Sequence, residues 1–177
     1  MVDFTTVSWL RTAAKKEAAK DNLRTADMIG DVIAITAILI LITYFVDSQV
    51  ANSGFFTAKF GSLEAFFFYA VAVVGLFPPA LRLILRKRNA VRPFEIANSL
   101  FTVVSIVYLL NVFPFDFTNL ATAISPSLHS AFSWLTDDIV KLLMTLGIIL
   151  TVLITAWTLV IYLTVKQVLS ETGEGPL

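Results

Sequence analysis

Asp31 and Glu95 lie just inside long apolar runs, where a carboxylate is costly. An acid within a membrane span is by default a proton relay, an ion ligand or a catalytic acid, because a charge in hydrocarbon persists only with a use or a partner. Both lie within about one helical turn of the end of their run. Each can therefore reach water, sit at a helix N-terminus, or pair with Arg86, Lys87, Arg88 or Arg92. The structural reading is preferred for both.

Other polar groups recur at helical spacing. Asn98, Thr102 and Ser105 follow Glu95 at i+3, i+7 and i+10, on a face that also carries Tyr108. Thr151, Thr155, Thr158 and Tyr162 continue from Gly147 in the same way, and Ala72 and Gly75 make a small-residue seam with Pro79. Small and hydroxyl residues let helices approach closely and hydrogen-bond across the contact. That packing role is expected ahead of a water-lined path, since the runs hold few ionisable groups and ion paths usually need some.

The third candidate is the basic stretch from Arg82 to Arg92. Arg86, Lys87, Arg88 and Arg92 are the candidate site for anionic lipid headgroups, which a juxtamembrane cation attracts by about 1 kcal/mol, with the topology role below preferred to specific lipid binding. The plainer role of the same charges is to set topology.

His129 is the only histidine, and its spacing to Asp137 and Asp138 defines no metal site. With no cysteine, thiolate sites and disulfides are excluded. Neither a nucleophile elbow, a P-loop, a dinucleotide fingerprint nor a His-Glu-x-x-His helix is present. No catalytic residue, metal or cofactor is assigned.

The elements that must position these groups are membrane spans. Hydrophobic residues make up 57% of the 177-residue chain and charged residues 15%. The mean hydropathy is +0.81. A soluble domain runs to about 45–50% apolar and about 25% charged. The chain is expected to be an all-α integral membrane protein with four transmembrane helices, at 28–46, 62–81, 93–113 and 137–166. The first run is read as a retained span, since it lies behind a long charged segment and reaches spanning length. Pro78-Pro79 should kink or end the second span, with Leu83-Ile84-Leu85 resuming briefly along the interface.

Residues 1–27 form a basic leader helix, read as solvated in preference to lying on the membrane. Ser125-Pro126 starts a short amphipathic helix, with Leu128, Ala131, Phe132 and Leu135 on one face, in the outer loop between spans three and four. The tail, 171–177, is expected to be flexible. Twelve of the eighteen Phe and Trp residues fall at the outer ends of the spans and in the outer loops. They are expected either to cap the outer end or to form a docking face.

Of the 13 basic residues, eleven fall on one side of this arrangement and two, Lys59 and Lys141, on the other. The positive-inside rule places both termini and the basic stretch in the cytoplasm of a cell, with the spans in the plasma membrane. The lack of both cysteine and an N-glycosylation sequon leans towards a prokaryotic membrane. The function expected is that of a non-catalytic accessory subunit or self-assembling scaffold with lipid contacts. Its partners are the bilayer, anionic lipids, and a further copy of the chain or another membrane protein, with no nucleic acid. The alternative is a small oligomeric channel or transporter. An embedded enzyme acting on a lipid-like substrate is a third reading.

Overall fold

In the computed structural model, residues 8–18, 21–119 and 134–172 are described. Six helices account for most of them: α1 Ser8–Ala18, α2 Thr25–Val50, α3 Ser62–Gly75, α4 Phe77–Leu85, α5 Arg92–Val112 and α6 Asp137–Thr172. Four segments are long and apolar enough to cross a membrane, namely α2, α3 with α4, α5 and α6. Most of the amphipathic helix expected in the outer loop, with His129 and Phe132, falls within 120–133 and lies outside the described residues; of its apolar face only Leu135 is described, outside any helix and packed against the aromatic cap. Of the expected flexible tail, 171 and 172 complete α6 and the remainder lies outside the described residues.

The helix ends follow from local chemistry. Asp27 accepts the Arg24 N–H at 3.2 Å and Glu64 accepts the Gly61 N–H at 2.9 Å, each acid sitting in a first turn where helix-end donors are otherwise unsatisfied. Pro93 occupies the first turn of α5, where a missing N–H costs nothing. Two helices end on non-glycine residues in the left-handed region, α4 at Arg86 (φ 53°) and α5 at Phe113 (φ 42°).

The second span breaks earlier than its prolines suggest. α3 stops at Gly75, and Pro78 and Pro79 lie buried in the first turn of α4 rather than in the last turn of a continuous helix. Their missing N–H groups would otherwise bond the carbonyls of Val74 and Gly75, so the ladder fails just before them. Arg82 therefore belongs to a regular second helix that runs on to Leu85, instead of a short interfacial remnant.

α2 packs on α3 and α4, α5 packs on α3, α4 and α6, and α1 packs on α6. Among the described residues α2 and α6 share no extensive packed face, so the spans form an open row. Only 6–11% of the most apolar window of each span is buried within the chain. Most of the apolar surface must then meet lipid or another chain. Ile33 and Ile40 of α2 and Leu153 and Ile154 of α6 are examples, all more than 60% exposed.

Burial concentrates at the two ends of the row. At one end the loops zip together, Thr57 N–H donating to the Pro114 carbonyl at 3.0 Å and Asp116 N–H to the Phe55 carbonyl at 2.8 Å. Phe55 and Phe115 are buried beneath this join with Leu109. The Phe55 ring lies 5.2 Å from Phe45, 5.5 Å from Phe115 and 5.2 Å from Phe117, within the range of favourable aromatic pairing. Lys141 places its ammonium 4.4 Å from the Phe113 ring centre, tying the start of α6 to the same cap. The clustered Phe residues are thus largely an internal cap, although Phe66 and Trp134 remain exposed.

At the other end α1 is docked, which corrects the expectation of a solvated leader. Ala14 is fully buried against Ile161, Val165 and Val168 of α6, and Leu10 is 7% exposed. Trp9 stacks on Trp157 at 6.1 Å with the rings nearly parallel. The weak apolar face of α1 is sufficient because α6, at 36 residues, is longer than a bilayer crossing needs, and its Ile161, Val165 and Val168 offer a matching surface.

Candidate functional site

The chemistry-bearing groups converge at the end carrying α1. Arg82 stands one turn beyond the prolines of α4, between Asp31 of α2 and Glu95 of α5. Its Nε donates to both oxygens of Asp31, at 3.0 and 3.1 Å, and its Nη2 donates to Oδ1 at 2.5 Å. Its Nη1 donates to Oε1 of Glu95. A planar fork of donors serves two carboxylates at once in a fixed geometry, which the compact ammonium of a lysine does not impose. The Asp31 side chain is 7% exposed, and those of Arg82 and Glu95 are each 28% exposed.

This corrects the pairing expected from sequence. Neither acid pairs with Arg86, Lys87, Arg88 or Arg92. Those residues pair elsewhere: Lys87 with Asp21 at 3.5 Å, Arg88 with Asp27 at 3.3 Å and Arg92 with Glu17 at 2.9 Å. Arg86 is exposed and, among the described residues, in no ion pair, while its carbonyl accepts the Leu23 N–H at 3.0 Å. The segment between α1 and α2 is also stitched to the basic stretch through its backbone, Arg88 N–H donating to the Asp21 carbonyl at 2.9 Å and Asn89 N–H to Asp21 Oδ1 at 2.9 Å. Three of the four basic residues are thus part of an ionic lattice that ties the segment before the first span to the basic stretch.

Beside the triad lies a cavity of about 500 Å³, enclosed by Ala13, Lys16 and Glu17 of α1, Arg82 of α4, Arg88, Arg92 and Glu95, and Trp157, Thr158 and Ile161 of α6. Arg92 is 9% exposed, and its Nη1 is buried without a hydrogen-bond partner. A buried donor left unsatisfied is uncommon and calls for an explanation.

The stripes divide between this cavity and the interior of the row. Glu95 and Thr158 reach the cavity wall. Asn98 keeps a buried Oδ1 with no partner, and Thr102 and Tyr162 are half-buried. The other hydroxyls bond along their own helix and not across it: Ser105 to the Phe101 carbonyl at 2.8 Å, Thr151 to Gly147 at 2.7 Å and Thr155 to Thr151 at 2.7 Å. Such back-bonding satisfies the hydroxyl locally, which is why the expected cross-helix bonds do not form. Tyr108 is the exception, donating to Glu64 of α3 at 2.6 Å.

The small-residue seam is loose within one chain. A Cβ on Gly75 would meet Ile38 at an ordinary 4.0 Å, one on Gly147 would meet nothing within 4 Å, and Ala72 is half-buried. Sequence reasoning grouped Arg82 with the topology charges and missed its central place. The available signal was that Arg82 alone is followed by a further apolar turn, Leu83-Ile84-Leu85, which draws it into the span.

No protein-family model, curated protein or solved structure matches this chain.

Proposed function

We propose that this chain is a non-catalytic integral membrane protein, an accessory subunit or self-assembling scaffold that contacts anionic lipid at its basic end. The observation that carries this reading is Arg82 held between Asp31 and Glu95. A carboxylate engaged by a guanidinium is committed to structure, and these are the two acids that sequence reasoning singled out for proton or ion chemistry. The remaining span hydroxyls detailed above are largely spent on their own backbone. The broad apolar flanks of α2 and α6 supply surface for association within the bilayer.

In this reading the end carrying α1 and the basic stretch faces the cytoplasm and the spans lie in the plasma membrane, where cations near the inner leaflet are favoured. The test is reconstitution of the purified chain into liposomes with a flux dye and lipid-linked substrates. The expected result is neither ion flux nor turnover. Conductance abolished by Asn98→Leu or Thr151→Val would establish a channel instead, and turnover lost with Asp31→Asn or Glu95→Gln would establish an enzyme.

A further inference from the structure

We propose that the cavity between α1, α4, α5 and α6 is a binding site for a phosphate group, supplied by the headgroup of an anionic phospholipid or by a soluble phosphate ester. The inference rests on the membrane reading above and names the ligand class at the same end of the molecule. Three features carry it.

The first is charge. The cavity wall holds four cations, Lys16, Arg82, Arg88 and Arg92, against two acids, Glu17 and Glu95. Arg82 is shared by Asp31 and Glu95, Arg88 pairs with Asp27 and Arg92 with Glu17, so among the described pairs the excess charge on the wall is that of Lys16. The second is Arg92 itself. One arm of its guanidinium is anchored to Glu17, while Nη1 is buried with no acceptor. An oxyanion in the cavity supplies that acceptor once the guanidinium turns towards it, and arginine is suited to phosphate because its donors lie in a fixed plane.

The third is the shape and lining of the space. About 500 Å³ is far more than one ion needs and lies within the range of small-molecule sites. Its remaining wall is mostly apolar, made by Ala13, Ile161 and Trp157 with Thr158, and Trp157 is half-exposed beside the lipid-facing flank of α6. A charged pocket with an aromatic edge next to hydrocarbon matches a group whose head is anionic and whose tail is apolar.

The test uses the full chain in nanodiscs made from equimolar phosphatidylcholine and phosphatidylglycerol. The chain is released and weighed with its retained lipid by native mass spectrometry. Four proteins are compared: wild type, Arg92→Gln, Ala13→Phe, which fills the cavity without changing charge, and Arg86→Gln, which removes an exposed cation outside it. Retention of phosphatidylglycerol over phosphatidylcholine should fall about tenfold in Arg92→Gln, as expected for one lost charge-assisted bond. It should fall in Ala13→Phe as well, and persist in Arg86→Gln.

A second arm adds inorganic phosphate to delipidated protein in detergent and follows the thermal midpoint. A rise that vanishes in both cavity variants, without lipid selectivity, would assign the site to soluble phosphate. Lipid retention and phosphate response both unchanged in Arg92→Gln and Ala13→Phe would overturn the site. Lipid lost in Arg86→Gln but kept in Arg92→Gln would leave the basic-end lipid contact standing and remove the cavity from it. Release of the chain from membranes by alkaline carbonate would remove the membrane reading, and the phosphate arm would then decide the cavity alone.

Discussion

Arg82 holds Asp31 along one edge of its guanidinium, Nε bridging both carboxylate oxygens and Nη2 closing on Oδ1 at 2.5 Å. The two residues are 51 positions apart in the chain, and the bond joins the first span to the far half of the broken second span. With Glu95 taking Nη1, a single guanidinium fixes three helices.

Replacing Arg82 should therefore cost more than replacing any other cation at that end. Arg82→Met leaves Asp31 buried and unpaired, a loss of about 3–5 kcal/mol when one partner of a buried pair is removed. Removing both charges relieves the penalty, so Arg82→Met with Asp31→Leu should recover most of it. Arg86→Gln, at an exposed side chain, should stay within about 0.5 kcal/mol of wild type. Unfolding in detergent, followed by a cap-region fluorescence probe, measures all three. Equal stability of Arg82→Met and Arg86→Gln would remove Arg82 from its central place.

The aromatic cap separates two kinds of phenylalanine. Phe55 is 1% exposed and Phe66 is 57% exposed. Phe55→Ala should destabilise by about 3–5 kcal/mol through transfer and cavity terms. Phe66→Ala should change stability by less than about 0.5 kcal/mol. The same unfolding experiment compares them, and similar losses in both would show that the cap is not organised around Phe55.

Docking of α1 gives a local prediction. Ala14 has no free surface against α6, so Ala14→Leu overpacks the contact at a cost of about 1–3 kcal/mol. Hydrogen exchange should rise across 8–18 and stay unchanged across α2. Unchanged exchange in α1 would mean that the helix is held by its ends alone.

The spans could be read from sequence because their signal is additive: every residue of an apolar run contributes, and no single partner matters. The polar stripes were visible for the same reason, as periodic positions. What the stripes do was not visible. A threonine on a helix face has its own carbonyl at i−4 as a nearer acceptor than any neighbouring helix, and Thr151 and Thr155 take it. The identity of each ion-pair partner was likewise hidden, because five cations between 82 and 92 could all reach the same acids. The break at Leu76 selected Arg82. The docking of α1 was hidden because the apolar run of α6 does not say which of its residues, Ile161 and Val165 among them, meet another helix instead of lipid.

The glycines give a prediction that separates contacts within a chain from contacts between chains. Gly75→Leu pushes into Ile38 and should cost about 1–3 kcal/mol. Gly147→Leu faces open space within one chain and should leave the unfolding midpoint unchanged. If its particle mass in mild detergent falls while the fold is kept, Gly147 lies at a contact between chains. A lowered midpoint without a change in mass would place a neighbour at Gly147 within the chain.

The central claim is a chain that spans the membrane four times, with α1 and the basic stretch on the cytoplasmic side and the aromatic cap outside. Because the chain has no cysteine, single reporters can be placed without background. Lys15 in α1 and Ala58 in the loop beneath the cap are both exposed. Labelling of intact cells with a membrane-impermeant maleimide tests the claim most directly. Ala58→Cys is predicted to label at once, and Lys15→Cys only after permeabilisation. Labelling of Lys15→Cys in intact cells would contradict the orientation and the cytoplasmic placement of the proposed phosphate site.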